Sequence, residues 1–144
     1  MCDSVLDSLV SYRVALRARW LGFDGPTVHY YHFFDDLEDA ESSLEATSDL
    51  EPRFLNSQNI NRIACPTYGH LLAWLKSRWG FTCTSLYYPA DKEFRVRVEW
   101  DARIDGRQVL FSPYFGDELS ACVAGVLIAL DEILRQLPVW GLRV

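Results

Sequence analysis

Several chemistries are missing from this sequence, and each absence narrows what the protein can do. Its four cysteines, Cys2, Cys65, Cys83 and Cys122, form no Cys-x-x-Cys pair, so neither a zinc ribbon nor a dithiol redox site is spelled out. Lysine is nearly absent, with two residues against twelve arginines, and no glycine-rich phosphate loop or calcium-loop spacing occurs. The longest charge-free apolar run, Leu119 to Leu130, falls well short of the ~20 residues needed to cross a bilayer. The start, Met1-Cys2-Asp3, is acidic where a secretory signal would be basic and then apolar. These absences lead us to expect a cytoplasmic chain with free thiols, no cofactor, no metal and no membrane association.

What is present is a composition suited to folding. At 144 residues the chain can bury roughly two-thirds of its unfolded surface, and a hydrophobic fraction of 49% with five tryptophans supplies a core. We expect one domain over 1–144. The net charge of −6 is unevenly placed, because the stretch from Trp20 to Pro52 holds nine acids and no Lys or Arg. That block sets the sign for a nearly balanced body.

Periodicity predicts the elements in order. Val5, Leu9, Tyr12, Leu16 and Trp20 lie at helical spacing behind Asp3 or Ser4 as N-cap, and Gly22 ends that helix. Thr27 to Phe34 reads as a strand, followed by an acidic loop with at most a short helical turn from Asp35 to Glu51. A second helix is capped by Thr67, carries Tyr68, Leu71, Leu72, Leu75 and Trp79 on one face, and stops at Gly80. Phe81 to Tyr88 is the next strand. Phe94, Val96, Val98 and Trp100 then alternate with Arg95, Arg97, Glu99 and Asp101, giving one buried and one wet face.

Asp105-Gly106 suggests a two-residue hairpin turn, which would pair Ile104 with Arg107, Ala102 with Val109 and Trp100 with Phe111. Across the preceding loop, the four residues Pro89 to Lys92 would put Phe81, Cys83, Ser85 and Tyr87 on the apolar face; a one-residue slip would substitute Leu86 and Tyr88. A last helix, capped by Asp117, carries Leu119, Val123, Val126, Leu130, Ile133, Leu134 and Leu137 and stops at Pro138. The fold class is therefore α+β in the order α-β-α-β-β-β-α. We expect a two-layer sandwich, with an antiparallel sheet of three to four strands and helices on one face.

Candidate chemistry is sparse. Cys65 precedes a helix start and His70 lies about one turn on, the outline of a thiol nucleophile and base without an orienting acid. His29 and His32 with Asp35 and Asp36 have metal-ligand chemistry, but side chains three apart on a strand face opposite ways. Arg95, Arg97, Arg103 and Arg107 outline an anion patch interrupted by Glu99 and Asp101. The helix, three strands, helix order matches that of double-stranded RNA-binding domains. The lysine cluster expected at the last helix is replaced by Gly116, Asp117, Glu118, Leu119 and Ser120, which would repel phosphate.

Two surfaces remain as candidate protein contacts. One is the acidic set Asp35, Asp36, Glu38, Asp39 and Glu41; the other is the small-residue stripe Ala121, Gly125 and Ala129, which would admit a second helix from residues 5–20 or from another copy.

Four local features carry a resemblance. They are Leu21-Gly22-Phe23-Asp24, Cys65-Pro66-Thr67-Tyr68, Trp74-Leu75-Lys76 through Gly80, and Leu119-Ser120-Ala121-Cys122. From about Tyr12 to Leu134 the chain resembles a family of short uncharacterised proteins common in Bacteroidetes and their phages and mobile elements. The resemblance implies a fold and a setting, and no active-site residue. This chain departs from that pattern in its last helix, which carries no charge from Leu119 to Leu130, and in its acidic block. The expectation is a non-enzymatic protein-binding factor of inhibitor, immunity or anti-defence type, whose partner is another protein or a second copy. Nucleic-acid binding and thiol catalysis are the alternatives.

Overall fold

The computed structural model of the chain describes residues 3–34, 36–47, 54–56, 61–102 and 104–137. It is an α+β protein containing, among those residues, two antiparallel three-stranded sheets. The chain divides into two compact units, Asp7–Leu71, and Leu72–Val144 together with Met1–Leu6.

The division begins in the first helix. Helical spacing predicts one helix through Val5 and Trp20, but α1 (Asp3–Leu6) stops and α2 (Tyr12–Trp20) starts afresh. Ser11 caps α2 through its hydroxyl, which accepts from the Val14 N–H at 3.3 Å. Between the helices Leu9 bridges to Thr67, and the Val10 N–H donates to the Pro66 carbonyl at 3.0 Å. The restart changes which side is buried. Tyr12, Val14, Ala15 and Ala18 go inward and Trp20 is 63% exposed. Gly22, left-handed at φ 90°, ends α2 as expected, with the Phe23 N–H returning to the Ala18 carbonyl.

In the Asp7–Leu71 unit, β1 (His29–His32) is the middle strand between β2 (Glu45–Ala46) and β3 (Arg62–Cys65). The Thr27 to Phe34 segment therefore does not add a fourth strand to the second sheet. Its polar groups are satisfied by Glu45–Ala46, inside the expected acidic loop, and by Arg62–Cys65. Helix α2 packs on β3. Tyr31 is buried edge-on against Tyr12, and its hydroxyl donates to the Val10 carbonyl at 2.7 Å. Asn56 ties this unit together: its amide donates to the Phe23 carbonyl, and its oxygen accepts from the Ala64 N–H, both at 2.8 Å.

Helix α3 (Leu37–Glu41) is the short turn expected in the acidic block. The helix capped by Thr67 comprises α4 (Tyr68–Trp74) and a π-helical turn (Leu75–Trp79) that ends at left-handed Gly80.

The second unit is a sheet of β4 (Thr82–Tyr88), β5 (Glu93–Ala102) and β6 (Gly106–Phe111), in that spatial order, with α5 (Glu118–Gln136) on one face. Tyr87 pairs with Phe94 and Cys83 with Val98, the first of the two registers considered for the Pro89 to Lys92 loop. The other hairpin differs. Ala102 pairs with Gly106, Trp100 with Gln108 and Arg97 with Phe111, so the ladder closes at Gly106, which takes the left-handed conformation at φ 72°. A register displaced from the expected one by an odd number of positions exchanges the faces of the strand. Gln108 and Leu110 join Trp100 and Val98, while Val109 and Phe111 stand beside Glu99 and Arg97 on the open face.

Helix α5 starts at Asp117, whose carboxylate accepts from the Ser120 N–H at 2.7 Å. Its stripe of small residues does not wait for a helix. Ala121, Gly125 and Ala129 are buried, and a Cβ on Gly125 would lie 2.4 Å from Val96 Cγ1 of β5. At Gly125 it is Val96 of the sheet that fills the space the stripe leaves. Helix α1 also touches α5.

Candidate interaction surface

The face of the β4-β5-β6 sheet turned away from α5 collects Thr82, Thr84, Arg97, Glu99, Asp101 and Arg107, and its arginines are already committed. Arg97 and Arg107 both pair with Glu99, which is only 8% exposed. Arg107 above all, aided by Arg97, holds the Glu99 carboxyl below the usual carboxylate range, against the opposing effect of burial. Arg95 lies in a cluster of rings: its guanidinium is 4.1 Å from the Phe111 ring centre, 4.8 Å from Tyr114 and 5.4 Å from Tyr88. Its Nε donates to the Tyr88 hydroxyl at 3.0 Å. Arg103 lies outside the described residues. Three of the four arginines expected to form an anion patch are thus engaged by a carboxylate or by aromatic faces, which lowers the positive potential available to phosphate.

Beside this face runs the edge of the sheet. Strand β6 is paired on one side with β5, and among the described residues no strand pairs with its other side. Val109, Leu110 and Phe111 are consecutive apolar residues, 42%, 41% and 43% exposed, and Tyr114 just beyond is 49% exposed. Singly exposed apolar residues are ordinary; three in a row on an unpaired edge are a ready template for another chain.

The acidic candidates have mostly local uses. Asp36 caps α3, its carboxylate accepting from the Glu38 N–H at 2.8 Å and the Asp39 N–H at 3.3 Å. Glu38, Asp39 and Glu41 are exposed, and Asp35 lies outside the described residues. His32 reaches Glu45 at 3.3 Å, and together with the Tyr30 hydroxyl it lowers the Glu45 pKa. His29 turns elsewhere, into a cleft with His70, so the strand separates the two histidines as its alternation requires. No group of three His, Cys, Asp or Glu among the described residues is placed to hold a metal ion.

That cleft, about 550 Å³, is lined by apolar Leu9, Pro26 and Val28 together with Cys65, Thr67 and His70. His70 packs edge-on against Phe23, with ring centres 5.3 Å apart. Cys65 is 1% exposed, its thiol donates to the Val10 carbonyl at 3.3 Å, and burial pushes its pKa up to about 12. A nucleophilic cysteine needs the opposite shift. Burial likewise raises Cys83 and Cys122 to about 12.

The residues missed from sequence are those on β6. Their apolar run is visible there, but a two-residue turn at Asp105-Gly106 would send Val109 and Phe111 to the buried face. No helix among the described residues is long and apolar enough to cross a membrane. No family model, curated protein or solved structure matches this chain, so the family resemblance rests on its four local features alone.

Proposed function

We propose that this protein acts by binding protein, without catalysis, through the outer edge of β6. The observation that carries this is the run Val109-Leu110-Phe111, apolar and exposed on a strand whose outer side is unpaired among the described residues. An extended segment added there gains main-chain hydrogen bonds, while the flanking side chains select its sequence. An inhibitor or immunity factor of a mobile element is the specific form this takes under the family resemblance.

The nucleic-acid alternative is disfavoured by the pairing of Arg97 and Arg107 with Glu99, and thiol catalysis by the protonated, hydrogen-bonded Cys65. The test is a quantitative capture from bacterial lysate with the wild-type chain and Val109→Lys as baits. A protein retained by the first and lost by the second is expected; identical captures by baits that also show no self-association refute the edge as the site. In parallel, a gel shift with duplex RNA and DNA at low salt is expected to show no salt-sensitive complex.

A further inference from the structure

The chemistry of β6 points to one occupant in particular. In an antiparallel pair, alternate residues direct both backbone polar groups toward the same neighbour. The Ser112 N–H donates to the Val96 carbonyl at 2.9 Å, so residues of the same parity, Leu110 and Gln108, face β5. Arg107, Val109 and Phe111 therefore direct their N–H and C=O groups outward. These three are symmetric about Val109.

We propose that β6 pairs antiparallel with β6 of a second copy, Val109 opposite its counterpart, about a two-fold axis perpendicular to the sheet. This rests on the reading of β6 as a binding edge, and names its partner. A two-fold axis requires directly opposed residues to have the same parity, so both α5 helices lie on one side of a continuous six-stranded sheet. With Val109 on the axis, every outward N–H and C=O of Arg107, Val109 and Phe111 finds a partner. Moving the axis to Leu110 sets Arg107 opposite Pro113, which has no N–H to give. Moving it to Gln108 sets Phe111 opposite Asp105, beyond the end of the strand.

The side chains agree with the Val109 register. Arg107 of one copy lies opposite Phe111 of the other, whose ring is already covered by its own Arg95, and Gln108 lies opposite Leu110. Charge also permits it. The chain carries −6 overall, yet β6 contains no acid, and its single arginine pairs with Glu99, a carboxylate it shares with Arg97. Pairing here sets no acid of β6 against another, and burial removes Val109, Leu110 and Phe111 of both copies from water.

The experiment measures mass by light scattering after size exclusion over rising concentration, for the wild type and Val109→Lys, with near-ultraviolet circular dichroism to check folding. The introduced ammonium would face its own counterpart across the axis, and lysines on sheet edges oppose strand pairing. The wild type should approach twice the monomer mass and the variant should stay monomeric. Amide exchange on the wild type supplies a second reading that needs no variant: the N–H groups of Val109 and Phe111 should slow with concentration, while those of Gln108 and Leu110, bonded to β5 already, should not change. A wild type that stays monomeric with unchanged amides overturns the self-pairing, leaving the wider reading to its own capture test. A dimer indifferent to Val109→Lys, with exchange at Val109 and Phe111 unaltered, overturns it as well.

Discussion

Replacing Gly125 by alanine separates two opposite accounts of α5. If its small-residue stripe is an open surface, the substitution exchanges a poor helix former for the best one and stabilises the protein by up to about 1 kcal/mol. The structure gives the other sign. The new methyl would lie 2.4 Å from Val96 Cγ1 and 2.7 Å from Val96 Cβ, and the latter is fixed to the backbone of β5 and cannot swing away. Overpacking of this kind costs about 1–3 kcal/mol, and the severity of the contact puts it at the upper end.

Subtracting the propensity gain leaves a net loss of about 1–2 kcal/mol, or a Tm lower by roughly 3–8 °C in a chain of this size. Urea titration followed by tryptophan fluorescence gives the free energy and thermal melting gives the Tm. The pair Gly125→Ala with Val96→Ala supplies the check. Val96→Ala alone opens a cavity in the core, but the added methyl partly fills it, so the double variant should be less destabilised than the sum of the two. Stabilisation by Gly125→Ala, or strict additivity with Val96→Ala, would refute the contact and return the stripe to the surface.

Two further perturbations probe each unit. Asn56→Ala removes the acceptor of the Ala64 N–H and the donor to the Phe23 carbonyl, and should cost about 2–3 kcal/mol by urea titration, with Asn56→Asp costing less because it keeps the acceptor. Glu99 has its pKa lowered chiefly by Arg107, so its contribution is complete above the ordinary carboxylate value and is lost as pH falls through the lowered one. The urea midpoint of Glu99→Gln should therefore fall less between neutral and acid pH than that of the wild type, and equal slopes would show that Glu99 carries none of that dependence.

Local rules account for much of this chain. The helix stops at Gly22 and Gly80, the caps at Thr67 and Asp117, and the alternation from Phe94 to Asp101 each depend on residues within a few positions of one another, so they are legible directly. Asp36 as a cap is of the same kind, although its block reads mainly as loop. The strands Glu45–Ala46 and Arg62–Cys65 carry little pattern of their own; they exist because the buried, aromatic Tyr30 and Tyr31 needed hydrogen-bonding neighbours on both sides. Asn56 looks like a turn residue, and only the approach of Phe23 and Ala64 makes it a buried anchor.

By itself, the sequence determined the α+β class and the order of the longer elements, because periodicity, capping and composition act over short spans. Tertiary structure decided three things those spans could not hold. The first helix broke because Leu9 and Val10 found better partners at Thr67 and Pro66. The small-residue stripe of the last helix closed on the sheet at Gly125, where Val96 fits into the space. The register of β6 was set where the ladder closes at Gly106, and that register, by exchanging the strand's faces, put Val109 and Phe111 on the open face.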